Sequence, residues 1–364
     1  MKKLFYLLML CYLSICGNEL KGQNLLHDFR TKKNMKVTKI PFDTEDIKRP
    51  LYMEYSDGFL YFNEYNADYF VDIFNCSTGK LEKSVLKKGS GPNEFLYISN
   101  MTKDGKNMCL YDGQLKKITY IPLMGNETSK NPKNITIENN STIIRCFKVF
   151  PLNNEKYLVS GIITDAHWAI VDSSGHMISA FGTYPNNHNR TKPSDADLAM
   201  AYQPSFISNP AKTKGLYTYS RGIILRFCDI STTGHLTKTK EYFYENIDFT
   251  PESNERRYSV SFSKDNTWSF IDIKGSEKYC FLLYSGLRLS EIKNGENSFS
   301  GNRILIFDWD GNPVQEILLP HRFMYFAVND DDRLLYLLKE NTEEFAEDDY
   351  SIYKLDLSSD FESF

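Results

Sequence analysis

Apolar positions along this chain gather in short runs instead of recurring at helical spacing. Phe59-Leu60-Tyr61-Phe62, Phe70-Val71-Asp72-Ile73-Phe74, Tyr157-Leu158-Val159-Ser160 and Lys278-Tyr279-Cys280-Phe281-Leu282-Leu283-Tyr284 are examples, bounded by Gly, Asn and Asp. Runs of this length, rich in aromatic and β-branched residues, predict strands. Many share one ending: an apolar strand, an acidic or amide residue, then a turn that usually carries Gly. Ile73-Phe74-Asn75 precedes Thr78-Gly79, Leu110-Tyr111-Asp112 runs into Gly113, and Ile170-Val171-Asp172 precedes Gly175. Arg226-Phe227-Cys228-Asp229 precedes Gly234, Ile306-Phe307-Asp308-Trp309-Asp310 runs into Gly311, and Tyr353-Lys354-Leu355-Asp356 is a last copy without Gly.

The six anchors lie 37, 60, 57, 79 and 48 residues apart. A four-stranded propeller blade takes roughly 40–50 residues, so the copies predict an all-β, six-bladed β-propeller of four-stranded antiparallel blades with some long loops. A sandwich or jelly roll would leave six copies of one unit unexplained. The surplus length falls at 184–203, 245–258 and 341–349. In the first of these, Ser194 followed by helix formers through Met200 predicts a short surface helix. Met35 to Phe42 alternates apolar and polar through Val37, Ile40 and Phe42, and this N-terminal strand is expected to close the last blade and remove its exposed edge.

With 41% hydrophobic residues over 364 positions the chain can bury a large core, and 24 Tyr and 25 Phe against 3 Trp suit pleated, half-buried strands. A net charge of −4 with no long basic run argues against nucleic acid or an anionic membrane face as the partner. The N-terminus reads as an export signal: Lys2 and Lys3 lead an apolar stretch from Leu4 to Ile15, too short to span a bilayer comfortably. Leu13-Ser14-Ile15-Cys16 resembles a bacterial lipobox, making Cys16 a lipidation candidate, although the residue before the Cys is usually small and here is Ile15. Leu20-Lys21-Gly22 before Gln23 offers the alternative, an ordinary cut. The expected organisation is a signal peptide at 1–22, a linker at 23–34 and one propeller domain at 35–364. Cys76, Cys109, Cys146, Cys228 and Cys280 are odd in number and far apart, so they read as small buried hydrophobes and not as a disulfide framework.

Gly89-Ser90-Gly91-Pro92-Asn93-Glu94-Phe95, following a strand and a Lys pair, resembles the hallmark of the TolB-like six-bladed β-propeller family of exported Bacteroides-type proteins. The stretch from Tyr284-Ser285-Gly286 through Asn302 to Val314, followed by Phe326-Ala327-Val328-Asn329-Asp330-Asp331 and Leu335-Tyr336, agrees with it. The resemblance covers the body of the chain from about Ile40 onward. It implies a six-bladed propeller, often carried as a lipoprotein, and no settled activity, so it assigns no catalytic residues. Gly89, Gly91, Pro92, Glu94 and Phe95 are the family-motif candidates for binding. Gly and Pro relax and fix the backbone here, and Glu94 either faces a ligand or, the favoured reading, satisfies backbone N–H groups of a turn.

Chemical motifs are otherwise sparse. No two of the six His lie at ligand spacing, so no metal site is expected. Asp308 to Asn312 mimics the start of a calcium loop, but the twelfth position is Leu319 and not the required Glu. The acidic clusters at Asp330-Asp331-Asp332 and Glu343 to Asp349 leave weak calcium binding as the one cofactor in view, with solvated loops the favoured reading. No G-x-S-x-G or phosphate-binding loop is present. Trp168, Trp268 and Trp309 are the rare large anchors that could stack on a sugar or peptide, with packing between blades as the default. The expectation is a monomeric, exported propeller that binds a protein, peptide or glycan ligand, with membrane contact only through a lipid anchor. The alternative is a hydrolase or lyase acting at the channel mouth.

Overall fold

Strand burial explains the apolar runs. In the computed structural model, which describes residues 25–358 apart from 92, 125–133, 139, 186–192, 254–256, 293–298 and 343–348, the middle strands of each sheet are covered on both faces by neighbouring sheets. Tyr157–Ile163 and Ala166–Val171 are buried at every position, whereas the outer strand Leu81–Lys87 is buried at none. A strand covered on both faces gains from apolar side chains on both, so its sequence runs apolar without alternation.

Six antiparallel four-stranded units follow one another along the chain. Blade one runs from Pro50–Ser56 to Leu81–Lys87, blade two from Ile98–Asp104 to Asn134–Thr136, and blade three from Ile143–Pro151 to Met177–Phe181. Blade four runs from Pro204–Ser208 to Leu236–Glu245 and blade five from Thr267–Gly275 to Pro313–Phe323. Blade six takes three strands from the C-terminal part, Tyr325–Val328, Leu334–Glu340 and Tyr350–Asp356. Its fourth is Thr38–Lys39, antiparallel to Tyr350–Asp356 with Thr38 opposite Lys354. The N-terminal strand therefore closes the ring as expected, in two paired residues rather than eight. The first strand of each blade lies innermost, and that of blade six packs against that of blade one.

In the stretch 23–34, expected as a linker, the described residues 25–34 do more than connect. Lys32–Asn34 adds a fifth strand to blade five, parallel to Pro313–Phe323 with Lys32 opposite Glu316. Lys32 Nζ lies 2.9 Å from Glu316 Oε2. Just upstream, Leu25 and Phe29 are buried in the core between blades four and five, with Phe29 edge-on to Phe307 at 5.0 Å.

The repeated ending is hairpin chemistry. Asn75 Oδ1 accepts from Ser77 N, Asp172 Oδ1 from Ser174 N, and Asp308 Oδ1 from Asp310 N and Asn312 N, each tying the turn after the third strand of its blade. Asp112 departs from the expected equivalence, because it ends the second strand of blade two. Its Oδ1 still caps a turn through Gln114 N and Leu115 N, but its Oδ2 accepts from Leu96 N at 2.7 Å and Tyr97 N at 3.2 Å, the residues entering blade two. The uneven spacing around it, 37 then 60, follows from that displacement. Glu64 occupies the matching place in blade one, with Oε2 accepting from Arg49 N at 2.8 Å and Lys48 N at 3.3 Å. A carboxylate that ends the second strand thus fixes the crossover into its own blade.

Of the five described cysteines, all free, four are buried, and burial pushes the Cys109, Cys146 and Cys228 thiols up to about 12. The three tryptophans are also buried, between 1% and 7% exposed, so they pack as core residues.

Candidate functional site: the two mouths of the channel

The family motif forms a turn between blades one and two. Gly89 N donates to Phe95 O and Phe95 N to Lys87 O, while Glu94 folds back so that its Oε2 accepts from Gly91 N at 2.8 Å. Gly89 has φ +149°, and a Cβ there would meet Glu94 Oε2 at 2.0 Å, so both the backbone angle and the close carboxylate call for glycine. Phe95 is buried, with the Lys117 ammonium 3.8 Å above its ring. Lys87 Nζ stands 3.6 Å from Glu94 Oε1. Gly89, Gly91, Glu94 and Phe95 line neither mouth of the channel. Pro92 and Cys16 lie outside the described residues.

The candidate site is a cavity of about 370 Å³ at the mouth where one blade crosses to the next. Its wall takes Tyr52, Ser99, Lys148, Ser205, Phe270 and Tyr325 from the first strands of all six blades. The two longest described crossovers raise it further. Between blades three and four the predicted helix is present as Asp195–Ala201, with Ser194 and Asp197 forming a reciprocal cap, and it brings Met200 and Gln203 to the rim. Between blades four and five a hairpin pairs Phe249–Pro251 with Val260–Phe262, bringing Ser259 and Phe262.

Two cations stand in this wall, and no carboxylate is among its described lining residues. The Lys148 ammonium donates to Pro204 O at 3.0 Å, and burial pushes it down to about 8. The Arg221 guanidinium lies over two aromatic rings, 3.9 Å from the centroid of Phe262 and 4.3 Å from that of Trp268. Its Nε is buried without an acceptor, and burial lowers the group to about 10. Neither cation has an ion pair among the described residues. Asn100, by contrast, is fully engaged: it donates to Val149 O and accepts from Val149 N, latching blade two to blade three.

Deeper in the channel the charges are matched. Lys274 is 3% exposed, 3.2 Å from Asp272 Oδ1, 3.7 Å from Glu54 Oε2, and 4.0 Å above the Tyr52 ring. Burial works to lower Lys274, but Asp272, Tyr52 and Glu54 outweigh it and hold the ammonium above its ordinary value, so it stays protonated. Burial raises Asp272 to about 6 against the pull of Lys274 and of Phe326 N, which donates to its Oδ2 at 3.2 Å. At the opposite mouth a second cavity of about 350 Å³ is rimmed by ion pairs between non-adjacent blades: Lys103–Asp330 at 2.7 Å and Lys212–Asp104 at 2.6 Å.

The acidic triplet is absorbed in the same way. Asp330 pairs with Lys103, Asp331 accepts from Arg333 N and Asp332 from the Ser276 hydroxyl. Residues 343–348 of the other acidic cluster lie outside the described residues. Among the described residues no three His, Cys, Asp or Glu side chains converge as metal ligands. His167 is buried against Tyr184 and Trp168, and burial drives it down to about 3, a neutral core histidine.

Lys148 and Arg221 are the residues that sequence reasoning missed. The available signal was negative: no Asp or Glu occurs between Glu138 and Glu155, nor between Asp197 and Asp229, in a chain that is net acidic.

Six four-stranded sheets around a channel define a six-bladed β-propeller. The family model described as TolB-like 6-blade propeller-like matches residues 28–331, and the chain belongs to that family. Among solved structures it is similar to a member of the DUF4221 family from Bacteroides vulgatus, with 10% identity, 89% of this chain and 96% of that chain covered, and a TM-score of 0.52. It is also similar to a putative exported protein from Bacteroides fragilis, with 12% identity, 89% and 98% covered, and a TM-score of 0.50. At these identities the likeness is one of fold. A search of curated proteins found no match.

Proposed function

We propose that the protein is an exported binding propeller that holds a small ligand at its crossover mouth. The observation that carries this reading is the state of the polar groups there. Half-buried Ser205 and Ser220 have no side-chain partner among the described residues, and half-buried Lys148 and Arg221 have no counter-charge there. Buried or half-buried polar groups are normally satisfied within the protein, and a concave cluster that is not satisfied suits a ligand. Its volume falls within the usual range of small-molecule sites, roughly 300–1,000 Å³. No paired acid and base is among the described residues lining this cavity, which favours binding over hydrolysis or elimination.

Export rests on Lys2, Lys3 and the apolar stretch to Ile15, and on the name of the Bacteroides fragilis protein. Placement in the cell envelope, with Cys16 as a lipid anchor, follows the same segment. Mass spectrometry of the mature N-terminus separates a lipidated Cys16 from a cut before Gln23.

A library of small polar compounds tested by thermal shift examines the binding reading. The expected result is at least one stabilising compound whose effect disappears in Ser205→Trp, which fills the mouth from the first strand of blade four. Stabilisation that survives Ser205→Trp for every compound would place the ligand elsewhere.

A further inference from the structure

We infer that the crossover mouth is selective for an oxyanion carried on a hydroxylated body, a sugar acid or sugar phosphate, with Arg221 and Lys148 as its anchors. The inference rests on the binding reading and names the ligand chemistry of the same cavity.

Charge balance is the first argument. The described lining of this cavity holds Lys148 and Arg221 and no acid, while that of the opposite mouth mixes Lys103, Lys212 and Lys274 with Glu54, Asp104 and Asp330. A desolvated cation without a partner is costly, and an anionic ligand would supply the missing partner.

Geometry narrows the class. Phe262 and Trp268 both pack against the Arg221 guanidinium, whose N–H groups form a planar fork along its edge. That edge matches two oxygens of one carboxylate or phosphate group, and the match is bidentate. Lys148 adds a point charge from blade three, with one of its three donors taken by Pro204 O.

The rest of the described wall is neutral: polar, aromatic or aliphatic. Ser205 and Ser220 offer hydroxyl groups without partners among the described residues, Gln203 offers its carbonyl at the rim, and Phe150, Phe206 and Phe270 offer apolar surface. Hydroxyl-bearing carbons suit the first set and their C–H faces the second. A bare inorganic anion would use neither.

Trp268 supplies a reporter, because an anion that pulls on the guanidinium changes the stack on the indole. The full mature chain is titrated with D-gluconate and D-glucose 6-phosphate, with D-glucose as the neutral match, by tryptophan fluorescence and by thermal shift. The expected result is saturable binding of at least one anion, at least about tenfold tighter than glucose, weakened about tenfold or more by Arg221→Gln and by Lys148→Met. The tighter of the two anions says whether the head group is a carboxylate or a phosphate. Trp268→Phe should silence the fluorescence change and leave the thermal shift, which guards against a signal from another tryptophan. Glucose binding as tightly as the anions, anion binding that survives both substitutions, or no anion binding would each overturn the inference. If neutral compounds then bind and Ser205→Trp blocks them, the binding reading stands without the anion selectivity. If Ser205→Trp blocks nothing, both fall.

Discussion

The two mouths of the channel are built from the same six strands and treat charge in opposite ways. At the hairpin mouth and just inside it, each buried ammonium has a carboxylate: Lys212 with Asp104, Lys274 with Asp272 and Glu54. At the crossover mouth Lys148 and Arg221 have none among the described residues, only a carbonyl and two aromatic faces. Matched charges in a low-dielectric interior hold each other and fix the blades around them. Unmatched ones weaken the fold and are retained where something outside it completes them. On the binding reading proposed above, the contrast assigns structure to one end of the channel and recognition to the other.

The strongest way to break this contrast is to remove one lysine from each end. Lys274→Met strands Asp272 and Glu54 around a buried apolar stem, and the expected loss is about 3–5 kcal/mol. With its main downward pull gone, Asp272 moves further above its ordinary carboxylate value. A raised acid favours the folded state when protonated, so the loss should be largest at neutral pH and shrink as pH falls through the raised value. Lys148→Met removes a cation with no carboxylate to strand, only the Pro204 carbonyl, and should stay within about 1 kcal/mol of the wild type. Urea melts of both variants at pH 5 and pH 8 make the comparison. Equal losses would mean that Lys148 is as structural as Lys274.

Glu64 sharpens the contrast from within the crossover face, because it is buried there for a structural reason. Burial pushes its carboxyl up to about 7, against the opposing N–H bonds from Arg49 and Lys48, with Asp72 adding to the rise. The unfolded chain titrates near the ordinary glutamate value of 4.5, so the folded state holds its proton longer, and stability falls as pH climbs from about 4.5 to about 7. Glu64→Gln keeps an oxygen for Arg49 N and removes the titration. It should gain on the wild type between pH 4.5 and pH 8 by on the order of 3 kcal/mol. Parallel stability curves for the two proteins across that range would refute the assignment to Glu64.

Much of the fold was legible in the sequence, and the reason is periodicity. Strands covered on both faces must be apolar on both, so blade centres such as Ala166–Val171 stand out as runs. Turns that need a side-chain acceptor take Asn or Asp, so Asn75, Asp172 and Asp308 mark blade after blade. The short strand Lys32–Asn34 has no such mark. Three residues carry no period, and their register is set by Glu316, far away in the chain. The displaced role of Asp112 was hidden for a related reason: its second oxygen serves Leu96 and Tyr97, a contact that only the folded crossover creates. The mouth was hidden most completely. Lys148 sits within an ordinary strand and Arg221 in a loop, and nothing in their spacing announces that blades three and four bring both to one cavity. Family motifs did not help, because the most distinctive one, Gly89–Phe95, is spent on a turn.

That last point can itself be tested, and it carries the smallest expected effect. Glu94 lies on a crossover, as the mouth residues do, but its carboxylate serves Gly91 N inside its own turn. Lys87 stands 3.6 Å away and is well exposed, so that pair adds little. Glu94→Gln replaces a charge-assisted hydrogen bond by a neutral one, and the expected loss in a thermal or urea melt is about 1 kcal/mol. Ligand affinity at the mouth should not change, because Glu94 is not part of that wall. A fall in affinity with stability intact would reverse both assignments and move recognition from the channel to the family turn. A fall in stability alone separates the residues that identify the family from the residues that meet the ligand: the former keep the crossover folded, and the latter are free to differ between relatives that share the turn.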